Sequence, residues 1–77
     1  MEINVLAFGQ VADITGKTSW KVPLVKTTNE LNQQLIKSYP QLQSTTYLIA
    51  VNKKIIQESV ELNTDDTVAL LPPFSGG

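Results

Sequence analysis

The sequence predicts an α+β fold, a mixed sheet with one main helix lying across one face. Three observations predict it. Two mostly apolar runs, residues 3–8 and 67–71, are short enough for strands and apolar at both parities, the pattern of central strands in a sheet. Between them a single stretch, residues 28–39, carries apolar residues at helical spacing. The chain has 77 residues, room for one domain whose helix and sheet share one continuous core.

The elements follow in order. Residues 3–8, Ile-Asn-Val-Leu-Ala-Phe, form a strand buried on much of both faces and ended by Gly9. Val11, Ala12 and Ile14 followed by Thr15-Gly16 fit one or two helical turns closed by Gly16, and also fit a loop. Trp20, Val22 and Leu24 then alternate with Lys21, Pro23 and Val25; this is a strand with one wet face, and Pro23, lacking an amide for the ladder, puts it at an edge. Thr27-Thr28-Asn29-Glu30 has the spacing of a capping box, so the Thr27 hydroxyl should meet a free amide near Glu30 and the Glu30 carboxylate should reach back to Thr27. The helix that follows buries Leu31, Leu35 and either Ser38 or Tyr39, and Pro40 ends it. Residues 47–51 form an interior strand, Asn52-Lys53-Lys54 a turn, and Ile55-Ile56 a brief returning strand. Val60 and Leu62 are isolated apolar anchors before a turn at residues 63–66. The last strand, residues 67–71, ends at Pro72-Pro73. With the first and last strands both central, they should be neighbours. The arrangement resembles a ubiquitin-like β-grasp over residues 1–77, with 72–77 as an extended functional tail.

Composition narrows the chemistry. All six positive charges are lysines, set against seven carboxylates for a net charge of −1, so nothing attracts a polyanion over distance and no guanidinium grips phosphate. Nucleic acid is not an expected partner. Four carboxylates and no lysine lie in residues 55–77, a weakly acidic third. The sequence holds neither cysteine nor histidine, which removes the thiolate nucleophile, the commonest general base and the soft metal ligands. No metal site is expected. No apolar run approaches the ~20 residues that span a bilayer, and a cytoplasmic protein is expected.

The tail carries the chemistry that remains. Pro72-Pro73 stiffens the exit, Phe74 offers a large apolar anchor, and Ser75-Gly76-Gly77 has almost no side-chain bulk, all of which suit threading a narrow channel. Two glycines put no Cβ near the Gly77 carboxylate, so another protein's active site can close on the backbone. A carboxylate becomes electrophilic once ATP converts it to an acyl-adenylate, and a sulfur nucleophile that displaces AMP leaves a thiocarboxylate. That sequence needs no acid, base or metal from this chain.

The run from Val68 to Gly77, with Ala50-Val51-Asn52 mid-chain and Leu6-Ala7-Phe8 near the start, resembles the small subunits of molybdopterin synthase. The resemblance implies that an ATP-dependent activating enzyme adenylates Gly77, that a sulfur donor converts it to the thiocarboxylate, and that no cofactor is bound permanently. It also implies a large subunit, in a heterotetramer of two large and two small subunits, whose side chains are catalytic and where the sulfur passes to cyclic pyranopterin monophosphate to build the molybdopterin dithiolene. By the same resemblance Gly76 keeps the approach slim, and Leu71, Pro72, Pro73, Phe74 and Ser75 bind the partner. Two departures stand out: Asp65-Asp66 replaces the usual Gly-Asp turn, and Ala7-Phe8-Gly9-Gln10 replaces Phe-Ala followed by a basic residue. A carrier for thiamine, cysteine or tRNA thiolation, or a non-catalytic ubiquitin-like binding module, are the alternatives. Lys53-Lys54 reads as a solvated turn, with a docking patch for acidic groups as the alternative, and Trp20 reads as a packing residue.

Overall fold

The structure is a computed structural model and describes residues 1–73. Strands β1 (Glu2–Ala7), β2 (Ser19–Pro23), β3 (Leu48–Val51), β4 (Lys54–Ile56) and β5 (Thr67–Leu71) form one sheet in the order β2-β1-β5-β3-β4. Only β1 and β5 run parallel; the other neighbours are antiparallel. The ubiquitin-like β-grasp expected from the sequence is the observed fold, with the first and last strands side by side at its centre.

Helix α1 (Gly9–Thr15) closes at Gly16, which takes a left-handed φ of 72° and donates its amide to Ala12. Helix α2 (Thr28–Ser38) starts at Thr27, whose hydroxyl accepts from the Glu30 amide at 3.3 Å. The reciprocal half of the predicted capping box is displaced by one residue: the Glu30 carboxylate accepts from the Lys26 amide, at 3.4 Å, instead of from Thr27. Residues 26–28 enter the helix along residues 60–62, with Thr28 donating to the Val60 carbonyl and Leu62 to the Lys26 carbonyl, and this pairing sets the direction of entry.

Pro40 ends α2 as expected and at once begins a 3-10 segment, Pro40–Ser44, which the sequence reading did not assign. Its Leu42 is fully buried. Alternation fills one face of the sheet: Ile3, Val5 and Ala7 from β1 and Val68 and Leu70 from β5 meet Leu31 and Leu35 of α2, with Val11, Leu42 and Leu62 closing the margins. Trp20 packs at the margin of this core, edge-on to Tyr39 with ring centroids 6.5 Å apart and with the Lys17 ammonium over its ring. No helix among the described residues is long and apolar enough to cross a membrane.

Candidate functional site

A two-layer fold with one main helix covers only one face of its sheet. Among the described residues the other parity of each strand is left open: on β2 and at the start of β1 it is polar, with Ser19, Lys21, Glu2 and Asn4, and from Leu6 across β5, β3 and β4 it is largely apolar. The register places Leu6 beside Ala69, Ala69 beside Ala50, and Ala50 beside Ile55, a row crossing four strands. Leu71 and Phe8 lie one step further along, and these residues line an open depression of about 500 Å³. Its floor is made of alanine, with Ala50 buried at 3% exposure, and its walls of larger side chains, Phe8 at 45% and Ile55 at 48% exposure. Thr67, Asn52 and Lys53 supply the polar rim.

The first strand is thus corrected in one respect. It is central, but β1 stops at Ala7, and its second face is not covered by the fold: Leu6 is half-buried and Phe8 is exposed. The Phe8 amide still donates to the Leu70 carbonyl at 3.2 Å, which continues the parallel ladder by one bond and holds the ring at the edge of the depression.

The tail leaves from the same edge. Leu71 is the last residue of β5, and Pro72 then passes over Gly9, where a Cβ would stand 3.4 Å from Pro72 Cγ and 3.5 Å from its Cβ. Gly9 has a φ of 58°, so the backbone can turn into α1 while the proline ring rests on it. Of the predicted partner-binding residues, Leu71 is half-buried on the open face, while Pro72 and Pro73 are exposed beyond it. Phe74, Ser75, Gly76 and Gly77 lie outside the described residues. The structure adds Leu6, Phe8, Ala50, Ile55 and Ala69 to the candidate surface. Their signal was present in the sequence: apolar residues at both parities of the central strands, in a chain with helix enough for one face.

The turns at the other end of the sheet are held by side chains. Asp65, which stands where the resembled family has glycine, has a left-handed φ of 69°, and its amide donates to the Glu2 carbonyl at 2.8 Å. Asp66 accepts from the Asn63 amide at 2.8 Å and from Asn52 Nδ2 at 3.0 Å. The described residues contain no group of three or more acidic, histidine or cysteine side chains placed to hold a metal ion.

A family model described as the ThiS family matches residues 5–77. A molybdopterin synthase sulfur carrier subunit of Dictyostelium discoideum is 35% identical, with 99% of this chain and 96% of that protein covered. The chain belongs to the ThiS family, among the molybdopterin synthase sulfur carrier subunits. The corresponding subunit of Arabidopsis thaliana is 30% identical over 100% of the chain and 84% of the relative. Among solved structures, a putative molybdopterin converting factor subunit 1 from Pyrococcus furiosus superposes with a TM-score of 0.85 at 18% identity, covering 96% of this chain and 99% of that one. A complex of subunits 1 and 2 of the molybdopterin-converting factor from Helicobacter pylori matches with a TM-score of 0.65 at 23% identity, covering all of both chains. At these identities the structural matches speak for the fold.

Proposed function

We propose that this chain is the sulfur carrier subunit of molybdopterin synthase and that it works through the carboxylate of Gly77. An activating enzyme transfers AMP from ATP to that carboxylate with release of pyrophosphate, and a sulfur donor displaces AMP to leave the thiocarboxylate. The large subunit then takes the tail into its active site, the sulfur passes to cyclic pyranopterin monophosphate, and the spent carboxylate leaves to be recharged. Catalytic side chains belong to the partners.

The observation that carries this reading is the tail's point of departure. The strand at the middle of the sheet delivers Pro72-Pro73 from the rim of an uncovered apolar depression, so a partner seated on that face receives the tail from the same contact. The relationship to named sulfur carrier subunits across the whole chain supports it, as does the Helicobacter pylori complex, in which a protein of this fold is paired with a second subunit.

Intact mass of the protein, followed with activating enzyme, ATP and a sulfur source and then with large subunit and pterin substrate, tests the proposal. The expected result is a gain equal to exchange of one oxygen for sulfur that disappears as molybdopterin forms. A gain that persists in the presence of large subunit and pterin would assign the carrier to another thiolation pathway. A variant with one residue added after Gly77, which displaces the carboxylate by about 3.5 Å, should not load; normal loading of that variant would overturn the chemistry.

A further inference from the structure

The hairpin between β3 and β4 turns through Asn52 and Lys53, with φ of 50° and 73°. Two consecutive positive φ values mark the mirror-image type I turn, whose second position glycine fills without steric cost. A lysine stands there instead, so its surroundings must hold it. The Asn52 amide donates to the Thr67 carbonyl at 2.8 Å, the Thr67 amide donates to Asn52 Oδ1 at 3.0 Å, and Asn52 Nδ2 donates to Asp66 at 3.0 Å. Three hydrogen bonds thereby sew the turn to the start of the central strand.

The fixed turn ends at the open face. Lys53 is exposed and lines the same depression as Leu6, Ala50, Ile55 and Ala69, and among the described residues it is the only ionisable one that lines it. Lys54, one residue on, pairs with Val51 and by alternation belongs to the helix-covered side. A single ammonium beside an apolar docking surface adds nothing to apolar burial; its effect is on encounter and partner choice.

We infer that Lys53 is a specificity-determining contact of the docking face, kept by a strained turn at its rim to meet a carboxylate of the large subunit. The inference rests on the docking reading above and assigns a role that a solvated turn would not have. Binding of the full chain to the large subunit, measured at low and high salt, tests it. Lys53→Gln, which keeps a side chain on the same backbone, and Lys53→Gly should both bind about tenfold weaker at low salt, with the deficit shrinking as salt rises. Lys53→Arg and Lys54→Gln should bind like the parent. Lys53→Gly should also melt about 4 °C higher, because the turn is relieved. Parental affinity of Lys53→Gln at both salt concentrations would overturn the inference. A folded Ala69→Arg variant separates the two claims: if it loses binding while Lys53→Gln keeps it, only the role of Lys53 falls, and if both bind normally the docking face falls with it.

Discussion

Asp65 spends backbone energy without using its side chain in the contacts that hold it. Its amide donates to Glu2 and its carbonyl accepts from Asn4 Nδ2, both main-chain roles that glycine would keep. Asp65→Gly is therefore expected to stabilise the fold by about 1 kcal/mol, seen as a rise in the thermal midpoint. Gly9 is the opposite case. Its φ of 58° strains any residue that carries a Cβ, and a Cβ there would already touch the Pro72 ring, so Gly9→Val should cost about 1–2 kcal/mol and displace the first residue of the tail. Equilibrium unfolding measures the cost; the rate of thiocarboxylate formation, slower than that of the parent at equal folded protein, measures the displacement.

The elements were legible where local chemistry alone decides them. Thr27 capping α2, Gly16 closing α1, and prolines at the end of an edge strand and after β5 are statements about single backbone groups, and such signals survive tertiary context. The 3-10 segment was not legible, because one apolar residue, Leu42, among polar ones has no period; only the gap between helix and sheet gives it a place. Leu42→Ala should destabilise by about 2–5 kcal/mol, read from denaturant unfolding. Tyr47, ahead of β3, donates its hydroxyl to Asn32 of α2, and burial pushes its phenol above the ordinary 10.0. The unfolded chain thus gives up this proton first. The stability Tyr47 contributes is intact below about pH 10 and is lost as pH rises through the folded value. Tyr47→Phe should flatten the alkaline end of the stability profile.

At the scale of the whole molecule, the open apolar face is not legible strand by strand. Apolar residues on both faces of β1 and β5 predict burial on both faces, which holds for a chain with cover on each side. Counting helices against faces gives the other answer: one side is core and the other, among the described residues, has no cover. On the proposed docking of the tail, Phe74→Ala is expected to weaken binding to the large subunit by about 2 kcal/mol, measured by titration. The strand order has a further consequence for synthesis. Without β5 the sheet is two separate hairpins, β1 with β2 and β3 with β4, since no direct pairing joins them. The segment that unites them, β5, is the last strand of the described chain to be synthesised. The closure it makes, β5 against β1, is long-range in sequence, the kind of pairing that slows folding. The same event sets Ala69 and Leu71 into the open face, so a chain that has not finished folding offers no complete surface to a partner.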